Sequence, residues 1–242
     1  NNIVLTSSIG IEFYDNIDPV NFEKNFQNIN FDTTGFLVIS KSGTTPETLS
    51  QFSCIYQKSI ELSKVKEFCS NTLIITEFKE SPLYRIAKDN NCLLLEHHKD
   101  IGGRYSIFSN VGIVPAIISG LNINELFNGA SEVIYNINKY KPYDLGRYLT
   151  QKENLKFTNN VLMTYSDSLY FFGKWYLQLW AESIGKKNKG ITAIHSVGTT
   201  DQHSQLQLYL DGPKDKYFTF ITTDHTNEGM KINNEIFQNT SI

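Results

Sequence analysis

The sequence from Gly35 to Thr48 contains the groups needed to bind a phosphate. It carries hydroxyl donors, one lysine and a glycine that permits close backbone approach: Ser40, Lys41, Ser42, Gly43, Thr44 and Thr45. The apolar run Phe36–Ile39 predicts a buried parallel strand, and Pro46 predicts the first turn of a helix with Thr45 as its N-cap. Loop amides and the positive helix end would then face one anion. The alternative is an ordinary strand-to-helix turn with a threonine cap.

Three other residues are suited to moving a proton or stabilising an anion. Glu182 lies on the flank of an apolar helical stripe and could act as a base, although a solvated glutamate beside Lys186 is the plainer interpretation. Arg104 follows two glycines and offers a permanently charged planar donor, with a structural ion pair as the alternative. His203 would lie in the first turn of a helix capped by Thr200, and its imidazole could exchange protons near neutral pH.

Apolar runs that alternate with helical patterns indicate a parallel α/β architecture for the first part of the chain. The predicted strands are Ile11–Tyr14, Phe36–Ile39, Leu73–Ile75 and Cys92–Leu95. The predicted helices are Val20–Gln27, Glu47–Val65 and Pro82–Lys88. Right-handed crossovers place ligands at the carboxyl ends of such strands, which is where Ser40–Thr45 would emerge.

The second part of the chain is helical before a second set of strands begins. The predicted helices are Ser109–Gly120, Asn124–Ile137 and Leu169–Ser183, and the predicted strands are Val161–Tyr165 and Tyr217–Thr222. The alternation of Leu206, Leu208 and Leu210 with polar residues indicates a further strand. We assign residues 1–105 to a first unit and residues 106–242 to a helical connection and a second unit, whose own elements begin at Lys141.

The composition narrows the function classes. The formal net charge of −3 argues against nucleic acid as the main partner. Cys54, Cys69 and Cys92 lack a CxxC spacing and fall in apolar segments, so we expect buried free thiols in a reducing cytoplasm. No apolar run is long enough to span a bilayer, and no membrane partner is expected.

Four segments resemble motifs of the glucose-6-phosphate isomerase family, whose members contain SIS (sugar isomerase) domains. They are Gly35–Thr48, Gly102–Gly112 (Gly-Gly-Arg-Tyr-Ser-Ile-Phe-Ser-Asn-Val-Gly), Ala181–Lys186 (Ala-Glu-Ser-Ile-Gly-Lys) and Gly198–Ser204 (Gly-Thr-Thr-Asp-Gln-His-Ser). Their order along the chain is the family's order. The four segments together therefore identify the family more specifically than Gly35–Thr48 does alone.

The resemblance implies an α/β fold of SIS type. Two SIS-like units, each a layer sandwich with a parallel sheet, would pack together, and the second would be incomplete. A helix rather than a strand would carry Leu206–Leu210. One site would bind the phosphate of glucose 6-phosphate or fructose 6-phosphate. Its residues would be Ser40, Lys41, Ser42, Thr45 and Gly103, where the glycine lets the ligand come close to the backbone.

The resemblance also implies the catalytic roles. Glu182 would shuttle a proton between C1 and C2, Arg104 would stabilise the cis-enediolate, and His203 would assist ring opening. In the family this histidine reaches the site from the neighbouring subunit, so a homodimer with shared active sites is expected. The chemistry needs neither a metal nor a cofactor.

The chain also departs from the family's pattern. A glycine-rich loop normally precedes the first strand, and Ser7–Gly10 matches it poorly. The family's ring-opening lysine has no convincing equivalent in Asn227–Ile242, so we expect a fragment of a longer chain. The alternatives are another SIS isomerase, acting on mannose 6-phosphate or within a glucosamine-6-phosphate synthase, and a non-catalytic sugar-phosphate sensor. The Gly-Gly-Arg-Tyr-Ser and Gln-His motifs disfavour the first, and a sensor has no need of Glu182, Arg104 and His203 together.

Overall fold

The computed structural model describes residues 9–151, 156–224 and 229–230. The chain divides between Tyr140 and Lys141 into two compact units. The helices between residues 106 and 140, which the sequence pattern groups with the second unit, belong to the first, because the helix that starts at Asn110 packs against the turn containing Arg104.

The first unit contains a three-stranded parallel sheet in the order β1-β2-β3. Its elements are α1 (Pro19–Phe26), β1 (Phe36–Ile39), α2 (Pro46–Glu61), α3 (Val65–Ser70), β2 (Thr72–Thr76), α4 (Pro82–Asp89), β3 (Leu93–Glu96), the 3₁₀ helix Gly103–Phe108, α5 (Asn110–Ile118), α6 (Ile123–Tyr135) and α7 (Ile137–Tyr140). Parallel strands need crossover connections, and here helices supply them. Strand β1 has the predicted bounds, and β2 and β3 overlap the predicted strands.

The second unit contains another parallel sheet, in the order β5-β4-β6. Its elements are α8 (Pro142–Leu149), β4 (Asn159–Thr164), the 3₁₀ helix Asp167–Leu169, α9 (Tyr170–Ile184), β5 (Thr192–Val197), α10 (Thr200–Asp211) and β6 (Lys216–Ile221). The predicted helix Leu169–Ser183 and the two predicted strands are present within a few residues. The predicted parallel α/β fold class is therefore confirmed.

Aromatic side chains form the core of the first unit and hold α2 against β1. Phe68 is completely buried, and its ring centroid lies 4.8 Å from that of Phe36 and 5.4 Å from that of Phe52. Phe36 comes from β1 and Phe52 from α2, so this contact fixes the angle at which the chain leaves the strand and enters the helix. The residues between them, Ser40–Thr45, are called the hydroxyl loop below.

The core of the second unit is the central strand β4. Val161 and Leu162 are completely buried, as expected for a strand covered on both faces. Helix α9 crosses β5 closely, because Gly173 leaves room for the ring of His195, which a Cβ at that position would overlap. His195 Nε2 lies 3.0 Å from Thr164 Oγ1, and burial lowers the pKa of this histidine.

Two predicted elements are wrong in the first unit. Ile11–Tyr14 forms no strand: the Tyr14 ring packs against α1, 4.7 Å from the ring of Phe26, and Phe13 is exposed. The predicted helix Glu47–Val65 is two helices, α2 and α3, because Ser63 adopts a left-handed conformation with φ of 55° and interrupts the helical hydrogen bonding.

One cysteine also differs from expectation. Cys69 and Cys92 are buried free thiols, as predicted, but Cys54 is exposed. It lies on α2, on the face opposite to the one that the buried residues Phe52 and Ser59 direct toward the core. Burial raises the pKa of Cys69 and raises that of Cys92 to about 12, so both are thiols at neutral pH.

The segment after Gly198 forms the helix that the family resemblance implied, and not the strand that the alternation of leucines indicated. Residues Leu206–Leu210 lie within helix α10, as the resemblance implied. The predicted cap is wrong: Thr199 is the N-cap, Thr200 is the first helical residue, and the side chain of Thr199 makes no capping bond. Instead Asp201 Oδ2 accepts a 2.7 Å hydrogen bond from the Val197 amide, which ties the helix start to the end of β5.

Some predictions lie outside the described residues. In the segment Ser7–Gly10, which was compared with the family's glycine-rich loop, only the last two residues are described. In Asn227–Ile242, which was searched for the ring-opening lysine, only residues 229–230 are described. Across the described ranges, no helix combines the length and apolar character needed to cross a bilayer.

Candidate active site

The hydroxyl loop leaves the carboxyl end of β1 and leads directly into α2. Thr45 is the N-cap and Pro46 occupies the first helical position, as predicted. The Thr45 side chain does not cap the helix; its Oγ1 lies 2.7 Å from Ser40 Oγ. The amides of the first turn are therefore not consumed by the cap and are oriented toward the loop, as an anion site at a helix start requires.

Gly43 has a conformation and a setting that both require glycine. Its φ is +66°, in the left-handed region. A Cβ at this position would overlap Ser81 Oγ and would lie 2.8 Å from Ser81 Cβ. Ser81 is the N-cap of α4, so the absence of a side chain lets the hydroxyl loop lie against the start of a second helix.

Ser42 organises the outer part of the hydroxyl loop. Its Oγ accepts hydrogen bonds from the Thr44 amide at 3.2 Å and from Thr44 Oγ1 at 2.9 Å. Ser40 is buried, whereas Ser42 and Thr45 are partly accessible. The hydroxyl groups of Ser42 and Thr45 can thus reach a ligand, and Ser40 supports the position of Thr45.

The Lys41 side chain connects the hydroxyl loop to the loop that follows β3. Its Nζ donates to Lys99 O at 2.8 Å and to Ile101 O at 2.7 Å, and it lies 3.5 Å from Glu77 Oε1. Hydrogen bonds from Lys79, and to a lesser extent from Lys41, lower the pKa of Glu77, which is therefore charged at neutral pH.

Arg104 lies in the 3₁₀ helix Gly103–Phe108, called the Arg104 turn below. Its Cζ lies 4.6 Å from the ring centroid of Tyr105. Of the two glycines before Arg104, Gly102 has a near neighbour, since a Cβ there would lie 3.3 Å from the ring of Tyr105. Apart from its chain neighbours, no atom lies within 4 Å of the corresponding position at Gly103, which is exposed.

Glu182 lies in the last turn of α9, and Gly185 is the C-cap as predicted. The side chain is exposed, and its Oε1 accepts a 3.0 Å hydrogen bond from Gln178 Nε2. Gln178 is four residues earlier and so lies on the same helix face. The sequence analysis overlooked Gln178, although the i, i+4 spacing within the helical stripe is a signal that points to it.

His203 is the fourth residue of α10 and is exposed. The contacts of α9 and α10 indicate that Glu182 and His203 lie toward opposite ends of strand β5. Trp180 Nε1 donates to Ile191 O at 2.7 Å, which places the end of α9 beside the amino end of β5. The Asp201 bond to the Val197 amide places the start of α10 at the carboxyl end of the same strand.

The length of β5 separates these two side chains. The strand has six residues, which at roughly 3.3 Å per residue spans about 16 Å or more. Glu182 lies beyond one end of it and His203 beyond the other.

The structure thus brings some predicted residues together and separates others. Ser40, Lys41, Ser42 and Thr45 share one loop, and Lys41 connects it to the segment leading into the Arg104 turn. Glu182 and His203 belong to the second unit and lie apart. Within the described ranges, no group of three or more His, Cys, Asp or Glu side chains could hold a metal ion.

These features define the class of protein: a parallel α/β protein with a hydroxyl-rich loop ahead of a helix at the carboxyl edge of its first sheet. A sequence model of the phosphoglucose isomerase family matches residues 4–240. The chain belongs to the phosphoglucose isomerase family.

Individual relatives agree with this assignment. A protein of Methanococcus maripaludis described as a probable glucose-6-phosphate isomerase is 38% identical over 234 residues, which are 93% of this chain and 52% of the relative. A glucose-6-phosphate isomerase of Rubrobacter xylanophilus is 34% identical over 87% of this chain and 50% of its own length. The chain spans about half the length of the curated relatives it matches.

Solved structures share the fold. A hypothetical protein from Thermus thermophilus superimposes with a TM-score of 0.76 and 28% identity, over 85% of this chain and 51% of that one. A glucose-6-phosphate isomerase from Chlamydia trachomatis superimposes with a TM-score of 0.68 over 85% of this chain and 42% of that one. At 24% identity, the second comparison supports the fold alone.

Proposed function

We propose that the full-length protein interconverts glucose 6-phosphate and fructose 6-phosphate through a cis-enediolate. The observation that supports the proposal is the bond pair by which Lys41 of the hydroxyl loop holds the segment before the Arg104 turn, so that the proposed phosphate site and a permanent cation belong to neighbouring loops. The relatives described as glucose-6-phosphate isomerases support this choice of substrate. The reaction has a place in glycolysis and gluconeogenesis.

The proposed phosphate site uses the hydroxyl loop and the start of α2. The hydroxyl groups of Ser42 and Thr45, supported by Ser40, and the main-chain amide of Lys41 hold the phosphate. A dianion gains both charge-assisted hydrogen bonds and the favourable end of the helix dipole. Gly103 lets the sugar approach the backbone, since no atom occupies the space beside it.

The proposed chemistry is a proton transfer between two carbons. Glu182 removes the proton from C2 of the open-chain aldose, and the electron pair forms the C1–C2 double bond while O1 becomes an oxyanion. Arg104 stabilises this charge. A proton returns from the Glu182 carboxyl group to C1, after part of it has exchanged with water, the O2 proton moves to O1, and C2 becomes the ketone. His203 assists the earlier ring opening by exchanging protons with the ring oxygen. No cofactor enters the reaction.

The proposed assembly is a homodimer with shared active sites. The separation of Glu182 and His203 along β5 supports it, because two copies related by a twofold axis can each contribute a histidine to the other's site. The proposed location is the cytoplasm, which the free thiols of Cys69 and Cys92 support.

A coupled assay of the full-length protein tests the function. With fructose 6-phosphate as substrate, we expect glucose 6-phosphate to form and to be oxidised by a coupling dehydrogenase. Binding of fructose 6-phosphate without turnover would instead favour a sugar-phosphate sensor. Faster turnover of mannose 6-phosphate than of glucose 6-phosphate would favour a different sugar isomerase.

The phosphate site gives a separate prediction. Ser42→Ala combined with Thr45→Val removes two hydroxyl donors and should weaken binding of fructose 6-phosphate and inorganic phosphate alike, by about 10- to 100-fold, because bonds to a charged ligand are lost. Calorimetric titration of both ligands measures the change. Ser50→Ala, on the exposed part of α2, is the control and should change neither affinity. Unchanged affinities in the double variant would move the phosphate site elsewhere.

A further inference from the structure

The ammonium group of Lys41 has a full set of acceptors within its own protein. It carries three protons, and it lies within 3.5 Å of Lys99 O, Ile101 O and Glu77 Oε1. Two of these acceptors are main-chain carbonyls, which substrate binding does not remove. A lysine that held the phosphate directly would instead direct its ammonium group away from such partners.

The main chain of Lys41 is fixed as well. Its carbonyl accepts hydrogen bonds from the Glu77 amide at 3.1 Å and from Thr76 Oγ1 at 3.3 Å. Lys41 therefore joins three loops that leave the carboxyl edge of the first sheet: the hydroxyl loop, the loop after β2 and the loop after β3. Both ends of the residue are held, so the side chain has little freedom to move.

The two carbonyl groups that Lys41 binds lie just before the Arg104 turn in the sequence. Ile101 directly precedes Gly102, the N-cap of the Arg104 turn. The contact from Lys41 spans 60 residues of sequence and ties the start of that turn to the hydroxyl loop. Asn110 Nδ2 also bonds to Glu96 O at 2.9 Å, which supports the other end of the same region.

We propose that Lys41 is a positioning residue: its ammonium group holds the segment Lys99–Ile101, and through it Arg104, at a fixed distance from the phosphate site without touching the phosphate. This inference rests on the proposed isomerase function. A second effect follows from Glu77, whose carboxylate faces the same edge and would repel a dianion. Lys41, together with Lys79, which lies 2.7 Å from Glu77 Oε2, balances that charge.

The test separates turnover from binding in the full-length protein. Lys41→Met should lower kcat by about 100-fold, because a small displacement of a catalytic group has an effect of that size. The Kd values of inorganic phosphate and of sorbitol 6-phosphate, which has no carbonyl group to isomerise, should stay within about threefold of native. Lys41→Gln keeps one hydrogen-bond donor group and should show a smaller loss of kcat with the same unchanged Kd values. This variant provides the test if Lys41→Met does not fold.

A double-mutant cycle shows whether Lys41 acts through Arg104. The pair Lys41→Met and Arg104→Met should lose little more kcat than Arg104→Met alone, since the same stabilisation is removed by either route. Lys64→Met is the matched control, because Lys64 also bridges acidic groups, Asp32 and Glu67, and should leave kcat unchanged.

The outcomes are distinct. A tenfold or larger rise in both Kd values with kcat retained would show that Lys41 is a direct phosphate ligand and would overturn the inference, as would additive losses in the cycle. Absence of turnover in the native full-length protein would instead reject the isomerase function itself.

Discussion

Glu182→Gln is expected to reduce isomerisation by about 10²- to 10⁴-fold, the usual contribution of a general base. The amide keeps the size and shape of the side chain but cannot accept the C2 proton. Binding of fructose 6-phosphate should therefore stay close to native. In deuterated water, the native enzyme should place deuterium at C2 of glucose 6-phosphate, and the variant should not. Turnover rates and mass spectrometry of the product measure both effects.

The chain offers a matched control for this substitution. Glu61 is the last residue of α2 and, like Glu182, accepts a hydrogen bond from a glutamine four residues earlier, Gln57 Nε2 at 3.4 Å. Glu61→Gln changes the same charge in the same local setting outside the site, so its turnover should equal that of the native enzyme. Near-native turnover of Glu182→Gln would reject Glu182 as the base.

Mixing two inactive variants is expected to restore activity. In a heterodimer of Glu182→Gln and His203→Ala chains, one shared site collects both substitutions and the other contains neither. Random exchange of equal amounts should yield about 25% of native activity, since half of the dimers are mixed and each has one intact site. The coupled assay measures this recovery on full-length subunits.

The exchange itself needs independent proof. Native mass spectrometry with one isotope-labelled variant shows the fraction of mixed dimers, and native subunits taken through the same treatment show that it preserves activity. Each variant exchanged with itself should remain inactive. Verified heterodimers without activity would mean that His203 serves its own chain or has no catalytic role, and the separation along β5 would then need another explanation.

The sequence predicted the elements whose apolar residues form a short continuous run between clear start and stop signals. The strand Phe36–Ile39 has the predicted bounds because it is short, continuous in apolar residues and followed by a proline at a helix start. Ile11–Tyr14 is interrupted by Glu12 and forms no strand, and its Tyr14 ring packs against α1, a contact that a local pattern cannot reveal. The alternation at Leu206–Leu210 was likewise overridden, since these residues lie in α10.

The site was predictable to a similar degree. The loop residues and the cap at Thr45 follow from local chemistry, and the structure places them together. The partners of Lys41 do not follow, because main-chain carbonyls carry no residue-type signal and these lie about 60 positions away. The roles of Glu182, His203 and Arg104 remain predictions that the experiments above decide.

The hydrogen bond from Gln178 to Glu182 has a stereochemical consequence. It restrains the rotation of the carboxylate about its last side-chain bond, so a base held in this way would deliver its proton with a preferred orientation. The enediolate is planar at C1 and C2, and a proton delivered to one of its faces gives one C2 epimer. In the proposed reaction, the glutamine would thus help the enzyme to return glucose 6-phosphate rather than its C2 epimer.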